Sequence, residues 1–258
     1  MLDEYIIRAI VALILLAINA SIAGSFTIFK NVPFLIAGSA HSALAGSALF
    51  IFLEMYGLSI NPIIGAIIFA VFVAISASFS KQMNVAIGIS FAFSMSIAVL
   101  FISLIKEQAS RVWGLLFGDL FLLTNHDIIL MATMTTFIII FFLVFHKEFL
   151  FISFDPEGAM AYGIKVKYFT HLLLSLIAIS TVVMMKAVGA ILAYAMLIAP
   201  AAAANEKAKS ILQVFGFSAL IASVSIFSGI IISFLLPVSP SAMSAIFATS
   251  FYFAFRKF

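Results

Sequence analysis

"NVAIGISFAFSMSIAVLFISLI", residues 84–105, runs for 22 residues without a charge or a proline. A helix needs about 20 apolar residues to cross the hydrocarbon core of a bilayer, so this stretch reads as a membrane span. The composition extends that reading to the whole chain. Of 258 residues, 65% are hydrophobic and 9% are charged, whereas a soluble domain carries about 25% charged residues. The mean hydropathy is +1.30. Working outward from residue 84, polar punctuation separates nine apolar segments, roughly 5–29, 34–55, 60–79, 84–105, 127–146, 168–186, 187–204, 211–236 and 241–256. The seventh is short and carries Pro200, and if it is re-entrant the count falls to eight. The sequence therefore predicts an all-α polytopic membrane protein of eight to nine transmembrane helices, a single domain over 1–258. The apolar start ends in "GSFTIFKNVP" with no small-residue cleavage site before a polar mature domain, and it is expected to be a retained helix.

Cysteine is absent from the chain, which excludes disulfides and thiolate metal sites. Neither an arginine row of the voltage-sensor kind, a selectivity-filter sequence nor an acidic relay within the spans is visible, and no internal repeat stands out. No G-x-x-x-x-G-K-[ST] phosphate loop occurs, so any energy from ATP has to come through a partner. The net charge of +3 says less than its distribution. With nine spans, Lys30, Lys81, Lys147, Lys165, Lys167, Lys207, Lys209, Arg256 and Lys257 fall on one side, and Arg8, Lys106, Arg111 and Lys186 on the other. The positive-inside rule makes the first side cytoplasmic, with the N-terminus outside and the C-terminus inside.

Between the fifth and sixth spans lies "HKEFLFISFDPEGAMAYGIKVKYFTH", residues 146–171, too polar to cross and too apolar to be a loose linker. Within it, Asp155 is placed to cap a short helix, Pro156 to begin it, Glu157 to sit in its first turn and Gly163 to stop it. A helix of about two turns is marginal alone in water, so it must pack on the membrane domain or on a partner. It can be an interfacial connector, or a docking helix for a soluble motor.

This loop resembles the D-x-x-x-A-x-x-x-G-[IV] segment of permeases in the manganese/zinc/iron-chelate family of ABC importers, through Asp155, Ala159, Gly163 and Ile164. Three more stretches resemble that family in the same order. "FKNVPFLIAGSAHSALAG", residues 29–46, is similar to its basic residue followed by D-A-x-x-H-A-x-x-P-G. "LLFGDLFLLTNHDI", residues 115–128, is similar to its L-F-G-x-[IL] segment, and "VGAILAYAMLIAPAAAA", residues 188–204, to its V-G-x-L-L run ending in P-A-a-x-A. The resemblance covers roughly residues 20–250. It implies a homodimeric membrane permease of the cell membrane with translocation along or near the subunit interface. It further implies cytoplasmic ABC ATPase subunits docked on a coupling helix containing Asp155, Glu157, Ala159, Gly163 and Ile164, and an extracellular metal-binding solute-binding protein delivering manganese, zinc or iron. No cofactor is expected on this chain, ATP being used by the partner subunit, and no nucleic acid is implied.

His41 is the candidate metal ligand. Ala37 and Ala45 lie one turn away on its helix, and Gly38, Ser42 and Gly46 form the adjoining stripe. Small residues let backbones approach closely, so this face should press on another helix or line a narrow path. Neutral imidazole ligates zinc, manganese and iron, yet physical grounds alone favour a hydrogen-bonded structural role over a ligand role. The resemblance implies the path role, because the family's metal-path histidine matches His41. The family's aspartate one turn earlier is Ala37 here, and its proline is Ala45. That departure keeps alive a non-metal or chelated cargo, and a self-sufficient carrier or channel remains an alternative that would need no ATPase. Among other polar residues, His126 and Asp127 read as a helix cap, Glu54 as a carboxylate able to attract a cation or equally a solvated helix end, Lys186 as a helix end reaching to water, His146 and His171 as interfacial, and Asp119 as part of an external docking segment. Met184, Met185 and Met196 are possible soft ligands.

Overall fold

The computed structural model describes residues 4–58, 60–105, 108–118 and 122–256, and every regular element among them is helical. Asp119, Lys106 and Lys257 lie outside the described residues. The order is α1 (Glu4–Asn19), a π turn (Ala20–Gly24), α2 (Ser25–Phe29), α3 (Phe34–Met55), α4 (Pro62–Phe79), α5 (Met83–Leu104), α6 (Ala109–Phe117), α7 (Asn125–Val144), α8 (His146–Phe154), α9 (Pro156–Ala161), α10 (Val166–Lys207), α11 (Ile211–Leu235) and α12 (Pro240–Phe255). Seven helical stretches among the described residues are long and apolar enough to cross a membrane, with α1, the π turn and α2 forming one of them over Ile7–Phe29.

The sequence separates the sixth and seventh spans at Lys186. The structure instead runs one 42-residue helix across that point and breaks it at Gly189, whose φ of 80° and ψ of 162° lie in a region open essentially to glycine alone. The halves fold back on each other. At the start of α10, His171 meets Ser78 and Phe79 at the C-terminal end of α4. Met185 and Lys186 lie beside Pro62, at the N-terminal end of that helix. At the other end of α10, Lys207 lies over the ring of Phe255, while Phe29 touches both the Ala203–Ala204 region and the ring of Phe154. The beginning and end of α10 therefore share one end of the bundle, and Gly189 turns at the other. Lysine placement follows the same division. Lys30, Lys81, Lys147, Lys165, Lys167, Lys207 and Lys209 occupy loops or helix ends at the first end of the bundle, while Arg8, Arg111 and Lys186 lie toward the second.

In lipid there is no hydrophobic gain from pressing one apolar helix on another, so close backbone approach and interhelical hydrogen bonds must hold the bundle. Both are present. α3 and α4 cross where Gly46 faces Gly65, and a methyl group built on Gly46 would lie 2.0 Å from the Gly65 carbonyl oxygen. Deeper in the core, Asn19 is 1% exposed and donates to Thr135 Oγ1 at 2.8 Å and to the Leu15 carbonyl at 2.8 Å, while accepting from Ser180 Oγ at 2.8 Å. This joins α1, α7 and α10. The π turn that follows Asn19 is itself tied to α11, Ser218 donating to the Ala20 carbonyl and Ser21 to that of Phe215.

Candidate transport path and coupling face

α3 carries His41 at the edge of a lateral cleft of about 370 Å3 lined by His41 and Leu44 from α3 and by Met95, Ala98, Val99, Ile102 and Ser103 from α5. The ring stands edge-on to Phe91, with centroids 5.2 Å apart. Its Nδ1 lies 2.9 Å from the Ala37 carbonyl oxygen. A carbonyl can only accept, so Nδ1 carries the proton and, in the neutral ring, Nε2 keeps its lone pair. That is the tautomer a histidine needs to present a ligand nitrogen while its other nitrogen fixes the ring. Ala37 thus orients His41 through its backbone. Both physical readings meet here: the imidazole is hydrogen-bonded, and it retains a free lone pair at a cleft.

α3 and α5 bury further polarity. The hydroxyls of Ser39, Ser42 and Ser94 are buried with no hydrogen-bond partner among the described residues. Each such group costs about 1–3 kcal/mol unless something satisfies it. Met95, which shares the cleft with His41, is on a different helix some fifty residues away, and nothing in the sequence pattern marks it. No spacing rule links two helices that only the packing brings together. The three methionines that read as possible soft ligands sit elsewhere: Met184, Met185 and Met196 are all at most 1% exposed in the core. No group of three His, Asp or Glu side chains converges among the described residues.

At the Gly189 end, polar residues pair with one another. Thr124 caps α7, accepting from the Asp127 amide while Asp127 Oδ2 accepts from the Thr124 amide and hydroxyl. The sequence anticipates a cap here but places it on His126 and Asp127; the cap residue is Thr124, with Asp127 completing a capping box. The other Asp127 oxygen lies 2.6 Å from Lys186 Nζ. Lys186, its side chain partly exposed, is therefore held by a carboxylate. Glu54 likewise pairs with Arg111 at 3.1 Å, an exposed pair worth at most about 1 kcal/mol. At the opposite end, His146 is exposed with Nδ1 on the Leu143 carbonyl, and half-buried His171 contacts Ser78.

The predicted loop helix forms with the predicted ends. Asp155 caps α9 by accepting from the Gly158 amide at 2.8 Å, Pro156 is its first residue and Glu157 sits in its first turn. Its stop is a Schellman turn: the Gly163 amide donates to Met160 O and the Ile164 amide to Ala159 O, with Gly163 at φ 81°. Ala159 is fully buried against the rest of the protein. Met160 and Tyr162, 64% and 83% exposed, point away from it. α9 is thus a capped helix with one buried face and one open apolar face. The loop holds a second helix that the sequence did not foresee, α8, which packs Phe149 and Ile152 into the core.

The chain is thus an apolar helical bundle with a histidine at a cleft and a capped peripheral helix at its lysine-bearing end. The chain belongs to the ABC 3 transport family, whose model matches residues 2–257, and is a permease subunit of that ABC transporter class. It is 28% identical over 255 residues to the manganese transport system membrane protein MntC of Listeria monocytogenes, covering 97% of this chain and 89% of that one. It is also 28% identical over 261 residues to the manganese import system permease protein ScaB of Streptococcus gordonii, covering 97% and 92%. Among solved structures, PsaBC from Streptococcus pneumoniae in complex with Fab superposes with a TM-score of 0.85 at 26% identity, covering 98% of this chain and 91% of that one.

Proposed function

We propose that this chain is the membrane-spanning subunit of an ATP-driven importer for a divalent transition metal, manganese first among manganese, zinc and iron. The observation that carries it is the end-to-end likeness to two manganese permeases, combined with a helix, α9, whose buried and exposed faces suit docking. In this reading the two halves of α10 each cross the bilayer and α12 crosses as well, which makes nine crossings with the N-terminus outside and the C-terminus in the cytoplasm. Cytoplasmic ATPase subunits bind α9 around Asp155, Glu157, Gly163 and Ile164, Ala159 anchoring it from below. An extracellular solute-binding protein supplies the ion at the Asp127–Lys186 end. A second copy of the chain faces the α3–α5 cleft, and His41 Nε2 is a passing ligand for the cargo ion. One imidazole is a sparse ligand set, which suits a path that must release what it binds and leaves room for ligands from the second copy.

A second reading, a chelated cargo, is favoured by the replacement of the family's carboxylate by Ala37. Reconstitution with the partner ATPase and the solute-binding protein separates the possibilities. ATP-dependent uptake of free Mn2+ into proteoliposomes, lost when the ATPase is omitted and reduced at least fivefold by Gly163→Trp without loss of the permease itself, is the expected result. Uptake without any ATPase would overturn the reading in favour of a carrier, and uptake only of a chelate would redirect the cargo.

A further inference from the structure

Lys30 sits at the joint between α8 and α9. Ile152 is the third residue from the C-terminal end of α8, and its carbonyl would ordinarily accept from the amide four residues on. That residue is Pro156, which has no N–H. The Lys30 ammonium takes the place of the missing donor, its Nζ lying 2.7 Å from the Ile152 carbonyl oxygen. A cation is also favoured at the C-terminal end of a helix by the helix dipole. The local backbone aims it there. α2 ends in a Schellman turn with Asn31 at φ 57°, the Asn31 amide donating to Ile28 O and the Val32 amide to Thr27 O, so the chain reverses directly after Lys30. Burial lowers the pKa of this ammonium from the ordinary lysine value.

The contact is part of a continuous seam. Phe29 packs on Phe154 with centroids 5.2 Å apart, Phe26 on Phe149 at 6.0 Å and on Phe142 at 4.9 Å. Two turns further into the membrane the same span passes through the π turn Ala20–Gly24, and Gly24 presses on the Leu197 carbonyl in the second half of α10. π turns inside helices are frequent at functional sites.

We propose that Lys30 is a positioning residue of the coupling step: by supplying the donor that Pro156 lacks, it fastens the α8–α9 joint to the first span, so that displacement of α9 is passed to the π turn and on to α10. This rests on α9 being the ATPase-docking helix, and its test separates the two. Lys30→Met keeps the aliphatic stem and removes the donor; Lys30→Arg keeps a donor. In the reconstituted importer, Lys30→Met is expected to leave ATPase copurification at the wild-type yield while lowering Mn2+ transported per ATP at least fivefold, and Lys30→Arg to return it to within twofold. In nanodiscs holding the permease alone, hydrogen exchange over residues 156–164 and 20–29 is expected to quicken at least tenfold in Lys30→Met and not in Lys30→Arg. Unchanged exchange in Lys30→Met overturns the strut whatever the transport result. Quickened exchange with a wild-type Mn2+ to ATP ratio overturns the coupling role. Absence of ATP-driven uptake in the wild-type importer overturns the importer reading and the coupling role with it, while leaving the exchange result to decide the strut. If Lys30→Met does not accumulate, Lys30→Ala, which also lacks a donor, is measured in both assays.

Discussion

Gly46→Ala should destabilise this protein even though alanine is the better helix former. In an unconstrained helix interior the exchange favours alanine by about 0.5–1 kcal/mol. At Gly46, however, the added methyl would lie 2.0 Å from the Gly65 carbonyl oxygen, 2.4 Å from its carbon and 2.9 Å from the Ala66 amide nitrogen. These are backbone atoms that cannot swing aside, and ordinary contact begins near 3.4 Å, so α3 and α4 would have to part by about 1.4 Å. Separating them loosens dispersion contacts along both helices, which are the main force between helices in lipid, and overpacking of this kind costs about 1–3 kcal/mol. The control is Gly88→Ala on α5, where the new methyl meets nothing within 4 Å; there stability should hold or rise by up to about 1 kcal/mol. Thermal melting in nanodiscs by circular dichroism, with SDS titration to place the free energies, measures both. Equal stabilities for the two variants, or a more stable Gly46→Ala, would refute the close crossing. Because α3 also carries His41, Gly46→Ala should lower transport per folded molecule as well.

Three further outcomes are expected. A double-mutant cycle on Asn19→Ala and Ser180→Ala should give a coupling of about 0.6 kcal/mol, at most about 1.7, the range for interhelical hydrogen bonds in membranes; zero coupling in SDS unfolding would mean the buried triad is not formed. In this cysteine-free chain, a thiol introduced at Ser210 should react only from the cytoplasmic side and one at Ser239 only from outside, and the reverse pattern would invert the proposed orientation. If His41 is a path ligand, His41→Ala should cut Mn2+ uptake strongly with little change in melting, and Ala37→Asp should tighten cation binding despite an insertion cost of about 2.5–3.5 kcal/mol; normal uptake per folded molecule in His41→Ala would end the ligand role.

Composition and spacing by themselves determined a great deal here. Long uncharged runs can be satisfied in lipid only as helices, so the all-helical membrane architecture was legible, as were the ends of α9, because an N-cap, a first-turn proline and a left-handed glycine are local backbone requirements. The division of lysines between two ends followed from counting spans. Tertiary structure decided the rest. Whether Gly189 separates two spans or breaks one continuous helix depends on a single backbone conformation. Partners far apart in the chain were likewise invisible: Asp127 with Lys186, Asn19 with Thr135 and Ser180, His41 with Met95, Lys30 with Ile152. Each of these pairs brings together groups from separate parts of the chain, and sequence periodicity records which face a residue occupies but not which element will lie against it.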